Sequence, residues 1–206
     1  MPLDFLSDGP EDARRTVALA HGAGAAMDTP FMTAFAGGLA AWGFRVARFE
    51  FPYMAARRAT GKKRGPDRPN VLLDTWFEAV RQLGDPSRLV IGGKSMGGRI
   101  ASMIADEAGV AGLLCLGYPF HTPGKPEVPR IDHLAGMRTP ALILQGTRDP
   151  FGTPDEVAAY PLSPAIRLHW LADGDHGFKP RKRSGRTEEQ NLSEAVEAAA
   201  TFMASL

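Results

Sequence analysis

The chain has 206 residues, 44% of them hydrophobic and 23% charged, a globular composition long enough to bury a core without metal or disulfide support. Its 24 basic and 23 acidic residues leave a formal charge of +1, so no global field favours nucleic acid or an anionic membrane. The single cysteine, Cys115, excludes an intrachain disulfide, and no run approaches the roughly 18 apolar residues of a membrane span.

The segment Met1 to Arg15 carries Asp8, Glu11 and Asp12 and lacks the basic start and apolar stretch of a secretory signal, so a reducing cytoplasm is expected. Thr16 to Ala20 reads as the first strand and runs into His21-Gly-Ala-Gly24; Pro30 to Trp42 reads as a helix and Phe44 to Phe51 as a strand. Pro52 to Pro69, rich in proline, glycine and basic residues, reads as irregular. A helix over Val71 to Leu83, a strand over Ser87 to Gly92 and a helix over Met96 to Glu107 follow. The apolar strand Val110 to Gly117 includes Cys115, whose expected role is that of a small buried hydrophobe. Pro119 to Arg130 is again irregular, then Pro140 to Gly146 reads as a strand. Thr153 before Pro154 and Asp155 is an N-cap with proline at the first helical position, opening a helix to Tyr160. A strand over Ala165 to Leu171 precedes a last helix, Glu188 to Ser205. Thr187 and Gln190 form its capping box, and Leu192, Val196, Ala199, Met203 and Leu206 fall on one face. Alternating strands and helices, with no repeat or linker, predict one domain over residues 1–206: a doubly wound, mostly parallel sheet with helices on both faces.

Gly93-Lys-Ser-Met-Gly97 is a G-x-S-x-G motif set between a strand pattern and a helix pattern. A sharp strand-to-helix turn leaves no room for side chains two positions before and after the serine, and it exposes the hydroxyl at the carboxyl edge of the sheet. Glycine-rich turns also serve helix packing or phosphate binding, but the residues before Gly93 do not make a G-x-x-x-x-G-K-[ST] loop. The helix that starts after Ser95 aims unpaired N–H groups at the point where an oxyanion develops, with the Met96 N–H as first donor. The His21-Gly-Ala-Gly24 loop is expected to supply the second donor from Ala23, or otherwise from Gly24.

Acid and base follow in the order serine, acid, histidine. Asp149 lies in the turn after the strand Pro140 to Gly146, and His176 lies in the loop after the strand Ala165 to Leu171. A serine hydroxyl is a poor nucleophile until a base takes its proton; His176 is the candidate base and Asp149 the group that fixes its tautomer. Taken singly, His176 reads as a surface histidine and Asp149 as a turn former, so their conjunction with the Ser95 motif carries the argument. Asp132 is the runner-up acid, while Asp173 and Asp175 adjoin His176 too closely for easy geometry. No histidine, cysteine or carboxylate group has metal spacing, and neither metal nor cofactor is expected.

With these residues in place, the chain resembles the α/β-hydrolase superfamily from His21-Gly22 to the His176 loop. More narrowly it is similar to small, lid-poor bacterial hydrolases of the dienelactone-hydrolase-like and testis-expressed hydrolase-like groups. The narrower likeness lies in Arg48-Phe-Glu-Phe-Pro-Tyr53, Gly93 to Arg99, Leu116-Gly-Tyr-Pro119, Gly146 to Gly152 and Gly174 to Phe178. Dienelactone hydrolases proper carry a cysteine nucleophile, whereas position 95 is serine. The resemblance implies a serine esterase forming an acyl-enzyme on Ser95; scaffold members of the narrower group imply a catalytically silent binding protein as the alternative.

Only about twenty residues separate Gly117 from the next strand, punctuated by Pro123, Pro126 and Pro129, too few for a multi-helix lid. An open, shallow site bordered by Tyr53, Tyr118, His121 and Phe151 is therefore expected, suited to a small ester. Arg57, Arg58, Lys62, Lys63, Arg64 and Arg68 crowd one loop, and Lys179, Arg181, Lys182, Arg183 and Arg186 another. Such runs are usually solvated loops; flanking the site mouth, they would attract an anionic substrate. Nucleic-acid binding ranks last, and the sequence leaves a homo-oligomer open.

Overall fold

The computed structural model describes residues 2–206. Strands β1 (Leu6–Asp8), β2 (Thr16–Ala20), β3 (Arg45–Phe49), β4 (Leu89–Lys94), β5 (Gly112–Leu116), β6 (Ala141–Gly146) and β7 (Ile166–Leu171) form one sheet. Their order is β1-β3-β2-β4-β5-β6-β7. The pairings from β3 through β7 are parallel, and β1 runs antiparallel at the edge with Leu6 opposite Arg48. The helices are α1 (Pro30–Ala41), α2 (Pro52–Thr60), α3 (Pro69–Leu83), α4 (Met96–Ala108), α5 (Pro154–Val157) and α6 (Glu188–Ala204).

Strand alternation divides the core in two. Val17, Leu19, Val46, Val90, Leu114 and Leu116 pack on one face with residues of α1 and α6. Ala18, Ala20, Phe49, Ile91, Leu113, Cys115 and Ile143 pack on the other with residues of α2, α3 and α4. There Trp76 of α3 meets Phe49 edge-on, ring centroids 4.7 Å apart. Cys115 is fully buried, and burial pushes its thiol pKa up, as befits a packing residue. Proline at the first position starts α1, α2, α3 and α5, and the Thr187–Gln190 capping box starts α6.

From β2 the chain crosses to β3 on one side, and from β4 it crosses to β5 on the other. The loops leaving these adjacent strands diverge, one towards α1 and one into α4, and such a switch of crossover side is where open α/β sheets bind ligands. His21–Gly24 begins the first of these loops and Ser95 the second.

The expected doubly wound sheet is present, with two differences. Residues 52–60 form α2 where an irregular stretch was expected: Pro52 occupies the first helical position, and Met54, Ala55, Ala56, Arg57 and Arg58 are good helix formers, until Gly61 ends it at φ 69°. Strand β1 carries no apolar alternation, because a three-residue edge strand is held by its ladder to β3 rather than by buried side chains. Between Gly117 and Pro140 the described residues form a single 3₁₀ turn, Asp132–Leu134, and an isolated bridge between Thr122 and Lys125, and no lid. Among the described residues no helix is long and apolar enough to cross a membrane.

Candidate active site

Ser95 joins β4 to α4 at φ 51° and ψ −115°, a conformation a side chain adopts only under constraint. The constraint comes from the neighbouring strand. A Cβ on Gly93, itself at φ 146°, would lie 2.0 Å from the Ala20 carbonyl oxygen, and one on Gly97 would lie 2.5 Å from the same atom. Both flanking glycines are therefore steric necessities. The Ser95 N–H donates to the Leu116 carbonyl at 3.0 Å, and no side-chain cap closes the start of α4. The Met96 and Ala23 N–H groups donate no hydrogen bond among the described residues. A Cβ on Gly22 would come within 3.8 Å of Ser95 Cβ, which places the His21–Gly24 loop against the serine.

Asp149 is fully buried in the turn after β6. Its Oδ2 accepts from His176 Nδ1 at 2.7 Å, and its Oδ1 accepts from the Phe151 N–H at 2.9 Å. A carboxylate can only accept, so Nδ1 carries the proton and Nε2 keeps its lone pair. His176 reaches the end of β5, where a Cβ on Gly117 would lie 3.2 Å from His176 Cε1; Ser95 is bonded to the same strand end. Serine, imidazole and carboxylate thus gather around Leu116 and Gly117. The imidazole–carboxylate bond is made, while the Ser95 hydroxyl has no hydrogen bond among the described residues. Such bonds often tighten only with substrate bound.

Neighbours without an obvious sequence signature hold this pair. The buried Gln145 at the end of β6 donates from Nε2 to Asp149 Oδ2 at 3.0 Å and to the Tyr118 carbonyl at 3.2 Å, and its Oε1 accepts from the Tyr118 N–H at 2.7 Å. Asn191 of α6, also fully buried, donates to the Phe178 carbonyl at 2.7 Å and the Ala172 carbonyl at 3.1 Å, clasping the His176 loop. A lone amide in an otherwise apolar run was the available signal for Gln145, whereas Asn191 lies among polar residues and carried none. Lys94, inside the motif, donates from Nζ to the His176 carbonyl at 2.5 Å. Burial pulls its pKa down from 10.5 to about 8 against the opposing pull of Asp149 and Asp175.

The loop after β2 is braced from β3 and α2. His21 is fully buried; its Nδ1 donates to the Gly22 carbonyl at 2.7 Å and its Nε2 accepts from the Phe51 N–H at 3.1 Å, a neutral tautomer whose pKa burial lowers. The Tyr53 hydroxyl donates to the Ala23 carbonyl at 2.9 Å, and burial pushes its pKa to about 12.

The expected ring of pocket aromatics needs correction. Tyr53, Tyr118 and His121 are buried: Tyr53 tethers the Ala23 loop, the Tyr118 hydroxyl donates to the Arg130 carbonyl at 3.0 Å, and His121 Nε2 faces Glu156 at 3.3 Å. Polar tips with interior partners draw these rings inward. Only Phe151 remains partly exposed, its ring centroid 4.4 Å from that of His176.

The runner-up acids also have other work. Asp173 pairs with Arg148 and Arg181, and Asp175 accepts from the Gly177 and Lys179 N–H groups. Asp132 is exposed on its 3₁₀ turn. A second serine–histidine contact, Ser102 Oγ to His133 Nε2 at 2.8 Å, sits in the middle of α4. There Ser102 donates to the Arg99 carbonyl at 2.6 Å, and among the described residues no carboxylate bonds His133, so it has neither an orienting acid nor free N–H donors at a helix start. In the basic loops, Arg58 pairs with Glu50 and Asp28, Lys179 with Glu188, Arg181 with Asp173 and Arg186 with Glu194. Those four charges are paired within the chain, while the other seven of the two loops form no ion pair among the described residues.

Solved structures share this fold. A dienelactone hydrolase from Anabaena variabilis is 20% identical, with a TM-score of 0.74 covering 98% of this chain and 91% of that one. An α/β serine hydrolase homologue from Coxiella burnetii is 21% identical, with a TM-score of 0.67 covering 99% and 91%. A lid-less α/β serine hydrolase from Xanthomonas campestris is 22% identical, with a TM-score of 0.64 covering 95% and 87%. At these identities the likeness is one of fold. The model of the alpha/beta hydrolase domain family, however, matches residues 13–204, the span that holds the strained serine and the buried imidazole–carboxylate pair, and the chain belongs to that family.

Proposed function

We propose that the chain is a serine hydrolase of small carboxylic esters. The observation that carries this reading is the buried Asp149–His176 pair, bonded at 2.7 Å, at the strand end to which the strained Ser95 is also tied. His176 Nε2 takes the Ser95 proton as Oγ attacks the ester carbonyl, and the Met96 and Ala23 N–H groups receive the developing oxyanion. The imidazolium, held by Asp149, returns the proton to the departing alcohol and leaves an acyl-Ser95 ester. Water, deprotonated by the same Nε2, then releases the acid and restores the serine.

The test is labelling by a fluorophosphonate together with hydrolysis of short-chain aryl esters. Ser95→Ala should abolish labelling and lower kcat by about 10⁴-fold or more. A catalytically silent scaffold is the second reading, favoured by the Ser95 hydroxyl having no hydrogen bond among the described residues; purified protein that neither labels nor hydrolyses any aryl ester would establish it.

A further inference from the structure

One cation, a helical turn from Ser95 on α4, has no partner among the described residues. Arg99 stands one helical turn beyond Ser95 on α4, a rise of about 6 Å, and helical side chains lean back towards the helix start. Its Nε is sealed from solvent without an acceptor, and among the described residues it forms no ion pair and neither terminal nitrogen donates to a protein atom. Burial lowers its pKa, the nearby Tyr118 hydroxyl opposes that, and Arg130 adds to it. Arg130 is exposed; its Nη2 donates to Thr122 Oγ1 at 2.7 Å, and its carbonyl accepts from the Tyr118 hydroxyl at 3.0 Å. The acids nearby in sequence, Glu127 and Asp132, are exposed and pair with neither arginine.

Two other arginines have an unpaired Nε but differ in setting. Arg48 spends its Nη atoms on Asp8, Thr33 and the Met27 carbonyl. Arg45 begins β3, at the edge of the sheet opposite Ser95. Arg99 is the one of the three that has an unspent guanidinium fork one helical turn from the nucleophile, and such a fork matches a carboxylate in a bidentate bond.

We propose that Arg99, with Arg130 beside it, receives a carboxylate carried by the ester whose carbonyl is attacked at Ser95; this rests on the reading of Ser95 as the nucleophile. The substrate class is then esters bearing a free carboxylate.

The experiment compares kcat/KM for 4-nitrophenyl adipate monoester with that for 4-nitrophenyl hexanoate, two acyl chains of equal length differing in one charge. Wild type should favour the adipate, and Arg99→Gln should lower the adipate-to-hexanoate ratio roughly 10- to 100-fold. Arg99→Lys should keep part of the preference, while Arg14→Gln, an exposed charge before β2 at the opposite end of the sheet, should leave the ratio unchanged. No wild-type preference, or a ratio unaltered in Arg99→Gln because both esters lose equally, would overturn the proposal. A readout independent of turnover is the arginine Nε–H NMR signal lost in Arg99→Gln, followed in Ser95→Ala protein as adipate is added. A saturable shift supports the site; no shift, or a shift with inorganic phosphate but not with adipate, rejects it. Failure of fluorophosphonate labelling would strike the nucleophile reading alone, since the titration still reads the anion site.

Discussion

Replacing Gln145 by leucine keeps the approximate volume of a fully buried side chain and removes four hydrogen bonds: one from the Tyr118 N–H and three from the amide, to Asp149 Oδ2, the Tyr118 carbonyl and the Gly152 carbonyl. The Tyr118 N–H loses its acceptor in a dry site, at about 1–3 kcal/mol, and the bond to the carboxylate is worth about 1.5–3 kcal/mol. The two carbonyls lose less, and the added apolar burial returns about 1 kcal/mol. The net cost is about 3 kcal/mol, which for a chain of this size lowers Tm by roughly 6–12 °C. Thermal melts followed by circular dichroism measure this directly. Ester hydrolysis should also fall, because Asp149 loses the amide that holds its carboxylate towards His176. A Tm within about 2 °C of wild type would refute the reasoning, since it would mean that the buried amide is not what satisfies the Tyr118 N–H.

At position 95 the usual order of glycine and alanine should invert: Ser95→Gly relieves the φ 51° strain that Ser95→Ala retains, so the glycine variant should be about 1 kcal/mol the more stable in urea unfolding, with neither labelled by fluorophosphonate. Lys94 makes stability depend on pH. Its folded pKa of about 8 lies below its ordinary 10.5, so between those values the unfolded chain keeps a proton that the folded one has lost. Wild type should therefore gain stability relative to Lys94→Met as pH rises through that window, by up to about 3 kcal/mol, and a difference that stays flat in urea titrations at several pH values would contradict the buried ammonium. His21→Phe removes the acceptor of the buried Phe51 N–H and should cost about 1–3 kcal/mol. It should also lower kcat more than it raises KM, because the loop it loosens carries the proposed Ala23 oxyanion donor.

Local patterns in the chain were sufficient for much of this protein. The G-x-S-x-G segment announces Ser95 because two glycines are the only residues that clear the Ala20 carbonyl, and a steric demand of that kind leaves its mark at fixed spacing. The five-helix, six-strand alternation followed from apolar periodicity, which is likewise local. What periodicity could not reach was α2, hidden behind proline and basic residues that in fact open and end a helix, and β1, which exists only through its partner β3.

Tertiary structure alone decided which side chains turn inward. Tyr53, Tyr118 and His121 read as pocket aromatics in one dimension, but the carbonyls of Ala23 and Arg130 and the carboxylate of Glu156, distant in sequence, draw them into the interior. Gln145 and Asn191 acquire their roles only when β5, β6 and α6 bring unpaired backbone groups to them. A buried polar atom must find its partner wherever the fold supplies one, so its identity is a property of three-dimensional proximity and not of neighbours along the chain.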